Sequence, residues 1–419
     1  MRILVVGGGG REHAVVWKLA QNPSVEKIYC APGNGGISSL AQCISIKATD
    51  IEGIKAFSKE NNIDLVVVTP DDPLAAGMVD ELEKEGIRAF GPKKDAAIIE
   101  WSKSFAKDLM KKYNIPTARY EVFDNSKDAI GYLSHQKFPI VVKADGLALG
   151  KGVIIAQNFE EAREAVYSIM DEKTFGEAGN RIVIEEFLVG QEVSILAFTD
   201  GKTIVPMVSS QDHKRALDGD RGLNTGGMGT FSPSRIYTSE IAQYCMENIF
   251  RPTVNAMNME NRKFKGVLYF GLILTDDGPK VLEYNARFGD PETQVVLPRL
   301  KSDLLEIFNA VIDERLDEVK VEWDDRAAVC VIMASGGYPQ KYQTGYEIEG
   351  INEAEKEQDI IVFHAGTRFE NGRYYTAGGR VLGVTAMDDT LDGAIKKAYE
   401  GVGKINFKDA HYRRDIGIK

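Results

Sequence analysis

Three polar residues alternate at the end of one predicted strand. Glu283 and Asn285 are two residues apart, so their side chains point to the same face of the strand. A carboxylate and an amide carbonyl close to phosphates suit magnesium, a hard cation that takes few protein ligands. Arg287 continues the alternation and can grip an anion with two hydrogen bonds. A solvated strand face is the alternative, but the apolar residues before Glu283 favour a buried strand that ends in a site.

The small-residue segment 143–153 carries two lysines, Lys143 and Lys151, between two apolar runs. It is not a Walker A loop, because only three residues separate Gly146 from Gly150 and a glycine follows Lys151. The backbone amides and lysines of such a loop can still cover a triphosphate. A flexible hairpin with solvated lysines explains this segment equally well.

The run Gly7–Gly10 follows a short apolar strand and opens a helix. A dinucleotide fingerprint needs a third glycine, and Glu12 or His13 takes that place in either register. The second predicted strand also ends without an acidic residue for the ribose, so a nicotinamide cofactor is disfavoured. Glycine amides at a helix N-terminus can bind a single phosphate. A tight turn without a ligand is the alternative, although four glycines exceed what a turn needs.

Composition narrows the class of protein. The chain has 419 residues, a net charge of -11 and four cysteines without metal-ligand spacing. The acidic balance disfavours a nucleic-acid partner, because a polyanion requires clustered Lys and Arg. Dispersed cysteines suit a reducing compartment, and no stretch is long enough to cross a bilayer. The expectation is a cytoplasmic protein without a nucleic-acid or membrane partner. Its five histidines form no pattern of nucleophile and base, which fits phosphoryl transfer.

The elements that must position these residues follow from hydrophobic patterning. Residues 1–100 alternate short apolar runs with helical stretches, including a helix predicted over 75–85, which indicates a parallel sheet. In such a sheet the ligand site lies at the carboxyl ends of the strands. The polar, glycine-rich segment 210–233 is predicted to lack elements of its own and to act as a lid or binding loop. Residues 326–419 are predicted to form a last α+β block.

At these motifs the chain resembles the phosphoribosylamine–glycine ligase family of the ATP-grasp superfamily, over essentially its whole length. The most specific segment is Arg287-Phe288-Gly289-Asp290-Pro291-Glu292-Thr293-Gln294. Further matching motifs occur in order: Gly-Gly-Arg-Glu-His-Ala at 9–14, Pro-Gly-Asn-Gly-Gly at 32–36, Lys-Ala-Asp-Gly-Leu-Ala at 143–148, Ser-Gln-Asp-His-Lys-Arg at 210–215, Asn-Thr-Gly-Gly-Met-Gly at 224–229, Gly-Gly-Arg-Val-Leu at 378–382 and Arg-Asp-Ile-Gly at 414–417.

The resemblance implies an α/β and α+β multidomain fold, with an N-terminal parallel-sheet domain, an ATP-grasp domain of two lobes and a small C-terminal α+β domain. It implies ATP-dependent ligation of glycine to phosphoribosylamine through glycyl-phosphate, with Mg²⁺ or Mn²⁺, in purine biosynthesis. A monomer or weak oligomer is expected. The expected boundaries are 1–100 for the N-terminal substrate domain, 101–120 for a linker helix, 121–190 for the small lobe, 191–325 for the large lobe and 326–419 for the C-terminal domain.

The same likeness assigns roles to individual residues. The expected metal ligands are Glu283 and Asn285. Arg287 and Asp212 are expected to position glycine and, with Lys143, to be catalytic. The nucleotide is expected to contact Lys103, Lys143 and Lys151 through its phosphates, Glu185, Phe187 and Leu188 through adenine, and Glu192 through ribose. The N-terminal glycine loop and its neighbours are expected to bind phosphoribosylamine, and the residues expected to bind substrate besides Asp212 and Arg287 are Gly8, Gly9, Gly10, Asn34, Gly35, Asp71, Asp290 and Pro291.

Two residues depart from the family pattern, and three other classes of protein remain as alternatives. Asp71 stands where the family usually has glutamate, and its shorter side chain lengthens or loses a ribose contact. Trp101 stands where the family usually has a small residue, and its indole would narrow the pocket beside Lys103. The alternatives are another ATP-grasp ligase or a carboxylase-like relative acting on bicarbonate, a nucleotide-binding regulatory module without turnover, and a dehydrogenase.

Overall fold

The computed structural model describes residues 1–147 and 152–418. Lys151, predicted to contact phosphate, lies outside these residues. No helix in the described part of the chain is both long enough and apolar enough to cross a membrane.

The N-terminal region is a five-stranded, fully parallel sheet with the order β3-β2-β1-β4-β5. The predicted parallel sheet is therefore confirmed. Its central strands are buried because helices cover both faces of such a sheet. The elements are β1 (Arg2–Gly7), α1 (Gly10–Leu19), β2 (Lys27–Pro32), β3 (Gln42–Cys43), α2 (Ile51–Glu60), β4 (Leu65–Val68), α3 (Asp71–Ala76), α4 (Met78–Lys84) and β5 (Ala89–Phe90).

The single helix predicted over 75–85 is wrong: α3 and α4 are two short helices. They meet at Gly77, whose φ of +94° is left-handed. Glycine adopts this conformation without steric cost and ends the first helix.

The next lobe is an antiparallel sheet with the order β6-β9-β7-β8. The apolar faces of α7 and α8 pack on this sheet around buried Val142 and Ile184. The elements are α5 (Lys94–Trp101), α6 (Lys103–Lys112), β6 (Tyr120–Phe123), α7 (Ser126–Leu133), β7 (Ile140–Ala144), β8 (Val153–Ala156), α8 (Phe159–Val166) and β9 (Ile182–Glu186).

A second antiparallel sheet, with the order β11-β10-β16-β17, faces this lobe. Its strand β17 carries the alternating polar residues at its end. The elements of this part are β10 (Gln191–Thr199), β11 (Ile204–Pro206), β12 (Gln211–Asp212), β13 (Arg215–Leu217), β14 (Arg221–Asn224), β15 (Gly229–Ser232), α9 (Ser239–Cys245), α10 (Arg251–Met259), β16 (Gly266–Thr275) and β17 (Gly278–Asn285).

The C-terminal part contains a sheet with the order β12-β15-β18-β23-β20, in which β24 also pairs with β18. A separate three-stranded sheet, β19-β22-β21, lies beside it. The elements are α11 (Thr293–Val296), α12 (Leu304–Ile312), β18 (Ala327–Ser335), β19 (Glu347–Ile348), α13 (Ile351–Glu355), β20 (Ile360–His364), β21 (Thr367–Glu370), β22 (Arg373–Thr376), β23 (Arg380–Asp388), α14 (Leu391–Val402) and β24 (Ala410–His411).

The prediction that segment 210–233 lacks elements of its own is wrong. Strands β13 and β14 form a hairpin, while β12 and β15 extend the C-terminal sheet. The partner of β15 is β18, about a hundred residues later, and a distant partner leaves no local pattern. This segment therefore ties the large lobe to the C-terminal sheet.

The parts of the chain share their cores. Phe90 of the N-terminal sheet stacks on Phe308 of α12 with ring centroids 3.8 Å apart. One buried cluster joins residues of β1 and β4 to residues of β10, β16 and β17. This shared packing fixes the carboxyl ends of the N-terminal strands relative to the end of β17.

Candidate active site

The end of β17 carries Glu283 and Asn285, two side chains with oxygen atoms, on one face. A register shift leaves Leu282 without a direct partner on β16, and beyond it Glu283 pairs with Gly271 and Asn285 with Tyr269. Such a bulge re-aims the side chains that follow it. Burial opposes ionisation of Glu283, but nearby lysines, chiefly Lys214, hold its pKa below the usual range. Glu283 is therefore a carboxylate in a cationic surrounding.

Two of the predicted phosphate-binding lysines converge on this place from different elements. Lys103 opens α6, and its Nζ donates to the carbonyl of Gly146 at 3.0 Å. Lys143 ends close to β17, with its Nζ 3.3 Å from the carbonyl oxygen of Leu282. Burial lowers the pKa of Lys103, while the charge of Glu283 opposes that shift. The two ammonium groups and the Glu283 carboxylate therefore share one cleft.

Glu185 lies between two buried lysines. Its Oε1 is 2.8 Å from Lys143 Nζ and its Oε2 is 2.8 Å from Lys107 Nζ. All three side chains are at least nine-tenths buried. The carboxylate is thus committed to ion pairs, and Glu185 itself lies within β9, between Tyr120 of β6 and Val141 of β7. The next predicted hinge residue, Phe187, is 38% exposed and is followed by half-buried Leu188.

Lys214 joins two predicted nucleotide-site residues. Its Nζ lies 3.1 Å from Glu192 Oε2 and 3.7 Å from Glu283 Oε1. These two carboxylates, Glu192 first, raise its pKa well above the usual value. Lys214 was not singled out from the sequence, where it is one residue of the motif 210–215. Its contacts place the segment after β12 directly over the cleft.

Arg287 follows β17 and is held on several sides. Its Nη2 lies 3.0 Å from Glu100 Oε1 and donates to Asn285 Oδ1 at 3.1 Å. Its Nη1 donates to the carbonyl of Phe288 at 3.2 Å. Its Nε is buried and has no hydrogen-bond partner among residues 1–147 and 152–418. A buried donor without a partner is costly unless a ligand supplies the acceptor.

Asp212 lies at the C-terminal side of the same cleft. Its Oδ1 is buried and accepts no hydrogen bond within the described residues. Burial and the carboxylate of Glu292 raise its pKa well above the usual range. A β-carbon on Gly227, whose φ is +110°, would lie 2.8 Å from Asp212 Oδ1 and 2.4 Å from the Cδ of Pro291. Asp212 and Pro291 therefore face the same small space beside Gly227.

The N-terminal glycine loop is packed against its neighbours. A β-carbon on Gly8 would lie 2.4 Å from the carbonyl oxygen of Gly33, and one on Gly10 would lie 2.5 Å from Gln294 Nε2. The amide of Gly9 donates to Glu12 Oε2 at 2.6 Å. Close packing thus explains part of this glycine run without a ligand. Helix α1 still begins at Gly10, with its N-terminus at the carboxyl edge of the sheet.

Asn34 and Gly35 connect the N-terminal and C-terminal parts. The amide of Asn34 donates to the carbonyls of Gly8 at 3.0 Å and His364 at 2.8 Å. Its Oδ1 accepts from two backbone amides of its own loop. The amide of Gly35 donates to the carbonyl of Thr367 at 3.0 Å. The Asn34 side chain therefore holds this loop in its conformation, and the backbone of Gly35 attaches the loop to the C-terminal part.

Asp290 meets two arginines that come from opposite ends of the chain. Arg380 Nη2 is 3.1 Å from Asp290 Oδ2. Burial opposes ionisation of Asp290, but Arg380 and Arg11 hold its pKa below the usual range. Asp71, at the start of α3, is close enough to act on the charges of Arg11 and Glu100. The predicted substrate-binding residues therefore lie along the seam at which the N-terminal sheet, the signature segment and the C-terminal sheet meet.

Comparison with known proteins covers the whole chain. Three family models match: the phosphoribosylglycinamide synthetase N domain at residues 1–100, its ATP-grasp (A) domain at 101–293 and its C domain at 328–419. The phosphoribosylamine–glycine ligase of Caldanaerobacter subterraneus is 49% identical over 416 residues, 99% of each chain. That of Clostridium acetobutylicum is 50% identical over 417 residues, 100% of this chain and 99% of the relative.

This chain belongs to the phosphoribosylglycinamide synthetase family. The expected resemblance, and with it the three-part architecture, is confirmed. The crystal structure of phosphoribosylamine–glycine ligase from Thermotoga maritima matches all of both chains with a TM-score of 0.85 and 34% identity. Biotin carboxylase of Campylobacter jejuni matches with a TM-score of 0.76 at 12% identity, which shows a shared fold alone.

The residues of this synthetase-family site fit a divalent cation that takes few protein ligands. Among residues 1–147 and 152–418, no group of three or more His, Cys, Asp or Glu side chains could hold a metal ion. Magnesium commonly uses one or two protein oxygens and takes the rest from phosphates and water. Glu283 and Asn285, beside Lys103 and Lys143, provide such a pair next to a place for phosphates.

Several charged residues of this synthetase site were not singled out from the sequence, among them Glu100, Lys214 and Arg380. Each makes its contact with a residue distant along the chain, as in the bond from the Ala286 amide to Glu100, which spans 186 positions. Lys214 and Arg380 did fall inside motifs that carried the family resemblance. Nothing in the local pattern around Glu100 distinguishes it from a solvated helix residue.

Proposed function

We propose that this protein is a phosphoribosylamine–glycine ligase, which joins glycine to 5-phosphoribosylamine while ATP becomes ADP and phosphate. The observation that carries the proposal is the end of β17, where Glu283 and Asn285 face the same cleft as two lysines, in a chain about 50% identical to ligases of this name over its full length. De novo purine biosynthesis is the pathway that these relatives imply.

The chemistry explains why ATP is needed. An amine cannot displace oxide from a carboxylate, so the acid must first receive a better leaving group. A glycine carboxylate oxygen attacks the γ-phosphorus, the bond to the β-phosphate oxygen breaks, and glycyl-phosphate and ADP result. The amine of phosphoribosylamine then attacks the carbonyl carbon, phosphate leaves and the amine loses a proton. Phosphoryl transfer of this kind depends on positioning and on charge neutralisation rather than on a covalent nucleophile.

Residues of the two lobes would hold the nucleotide. Lys103 and Lys143 neutralise phosphate charge, and Lys151 is expected to do so from segment 148–151. The adenine would lie against the backbone of Glu185 and against Phe187 and Leu188, with the ribose on Glu192. Glu192 is now held by Lys214, so we expect Lys214 to shift when a ribose hydroxyl takes its place. A divalent cation bound by Glu283 and Asn285, Mg²⁺ or Mn²⁺, would supply further charge neutralisation on the phosphates.

The two substrates would enter from the C-terminal side of the cleft. Arg287 Nε and Asp212 Oδ1, neither of which has a hydrogen-bond partner in the described part of the chain, suit the carboxylate and the ammonium of glycine. The other residues proposed to bind substrate lie along the adjoining seam, with those of the N-terminal loops on the phosphoribosylamine: Gly8, Gly9, Gly10, Asn34, Gly35, Asp71, Asp290 and Pro291. This arrangement brings the amine toward the activated carboxyl group.

Measurement of ADP release tests the proposal. ADP should form with glycine and freshly prepared phosphoribosylamine together, and not with bicarbonate and the same amine. Glu283→Ala should abolish this release while it leaves the thermal unfolding midpoint close to that of the wild type. Asp277→Ala, at the exposed turn before β17, is the matched control and should keep full activity. ADP release that depends on bicarbonate, or normal turnover by Glu283→Ala, would refute the assignment.

A further inference from the structure

Glu100 is a buried acid without a task in the mechanism above. It lies in the last turn of α5, and its side chain is 6% exposed. Its Oε2 accepts a hydrogen bond from the amide of Ala286 at 2.7 Å, and its Oε1 lies 3.0 Å from Arg287 Nη2. Both carboxylate oxygens are therefore used on two consecutive residues of the segment that follows β17. A buried carboxylate is costly unless it is paired in this way.

The contacts of Arg287 explain what this pairing achieves. Glu100 pairs with Nη2, which also donates to Asn285, and Nη1 donates to the carbonyl of Phe288. The guanidinium plane is thereby fixed, and Nε, buried and without a partner in the described residues, remains available to a ligand. Arginine donors have a rigid planar arrangement, so fixing one end of the fork determines the direction of the other donors.

Loss of the Glu100 charge would leave Arg287 with competing partners. The charge of Arg287 already acts on the carboxylates of Glu283 and Asp290. An unrestrained guanidinium would move toward one of these acids, because a buried cation gains most from the closest anion. Either movement takes the Nε donor away from the acid-binding position.

We propose that Glu100 is a positioning residue for glycine, which holds the Arg287 guanidinium so that its Nε–H faces the substrate carboxylate. This inference rests on the proposed function, because it takes glycine as the acid that Arg287 binds.

Steady-state kinetics of Glu100→Gln test the proposal. Glutamine keeps the size and the acceptor for the Ala286 amide but removes the charge that holds Arg287. We expect the KM for glycine to rise about tenfold or more, with the KM for ATP within about threefold of the wild type, since a lost substrate-orienting contact weakens that substrate's binding selectively. Asp324→Asn is the control, because it weakens another partly buried aspartate–arginine pair, with Arg326, away from the cleft. It should change neither KM.

A double-mutant cycle on kcat/KM for glycine separates positioning from folding. If Glu100 acts through Arg287, then Glu100→Gln combined with Arg287→Lys should be no worse than Arg287→Lys alone. Additive losses, or equal losses for glycine and ATP, would overturn the proposal. If Glu100→Gln does not fold, Glu100→Asp replaces it in the same double-mutant cycle. Aspartate keeps the charge but is one methylene too short to reach both the Ala286 amide and Arg287. Wild-type enzyme without glycine-dependent ADP release would instead overturn the proposed function.

Discussion

Arg380 and Asp290 form an ion pair, 3.1 Å between Nη2 and Oδ2, that joins the C-terminal sheet to the signature segment after β17. The same guanidinium donates through Nη1 to the carbonyls of Asp290 at 2.9 Å and Gly226 at 2.6 Å. Three segments that are distant along the chain thus meet at one side chain. Because Gly226 precedes the glycine that faces Asp212, Arg380 also defines the wall of the cleft on that side.

Replacement of Arg380 by lysine should reduce catalysis more than stability. A single ammonium cannot reproduce the planar set of contacts to two segments. We expect kcat/KM for phosphoribosylamine to fall by about tenfold to a hundredfold, the loss typical of a displaced orienting group. ADP-release kinetics provide the measurement. Arg326→Lys is the matched control, because Arg326, just before β18, contacts Asp324 and Asp359 away from the cleft. Unchanged kinetics of Arg380→Lys would contradict this role.

Glu185, Lys107 and Lys143 form a buried group of three charges. We expect Glu185→Gln and Lys107→Met, which each remove one of these charges, to lower the free energy of unfolding by different amounts. Glu185→Gln leaves two buried lysines facing each other, so we expect the free energy of unfolding to fall by about 3–5 kcal/mol. Lys107→Met leaves a neutral pair of Glu185 and Lys143, and a loss of only about 1 kcal/mol is expected. Urea unfolding at pH 7 measures both. Equal losses would show that the charges of this group are not coupled.

The same group also predicts an effect on nucleotide binding. Two lysines and one glutamate leave a net positive charge in the cleft, and Lys107→Met removes it. The KM for ATP should therefore rise several-fold, while the KM for glycine stays close to that of the wild type. A rise that affects both substrates equally would indicate a general structural defect.

Three buried histidines predict acid sensitivity. Burial lowers the pKa of His13 and that of His213 to about 4, and that of His364 to about 3. All three are neutral when folded, and unfolded histidine titrates near pH 6.5. Between about pH 6.5 and pH 4 the unfolded chain therefore binds more protons, and stability must decrease as the pH falls. At about 1.4 kcal/mol per pKa unit, each of these histidines should cost roughly 3 kcal/mol of stability between pH 7 and pH 4.

Urea midpoints measured from pH 7.5 to pH 4.5 would reveal this dependence. His13→Gln should flatten the acid limb, because glutamine carries no titrating group but still offers an acceptor to the His364 amide. His135→Gln is the control, since His135 is exposed and should leave the curve unchanged. An unaltered acid limb in His13→Gln would contradict the assignment of the effect to this residue.

Much of the fold was predictable because its signals are local. The N-terminal sheet follows from apolar runs that alternate with helical stretches, and the common face of Glu283 and Asn285 follows from the two-residue period of a strand. The break at Gly77 was present in the sequence, but the surrounding pattern is continuous enough to suggest one helix. Hydrophobic periodicity predicts which face of a helix or strand is buried, but it does not predict which residue of a distant segment packs against that face.

The unpredicted parts depend on contacts between distant segments. Strand β15 exists because β18 is available to pair with it. Glu100 is functionally distinctive only because folding brings it to Arg287. The side chain of Asn34 donates to the carbonyls of Gly8 and His364, two partners that no local pattern reports, and its role in substrate binding stays a prediction. In each case the chemical character of the residue was evident from the sequence, but the partner that determines its role in the folded chain was not.

The C-terminal segment should stabilise the hairpin that follows Lys214. Arg413 is fully buried; its Nε and Nη2 contact both oxygens of Asp415 at 2.7 and 2.8 Å, and its Nη1 donates to the carbonyl of Arg215 at 3.1 Å. Arg413→Met leaves Asp415 without its bidentate partner, so we expect a loss of about 3 kcal/mol in stability. Amide hydrogen exchange over 215–224 should accelerate, and kcat/KM should fall because Lys214 is no longer fixed over the cleft. Arg414→Ala, at the exposed neighbour, should change none of these quantities, and equal effects of the two substitutions would exclude a specific role for the buried arginine.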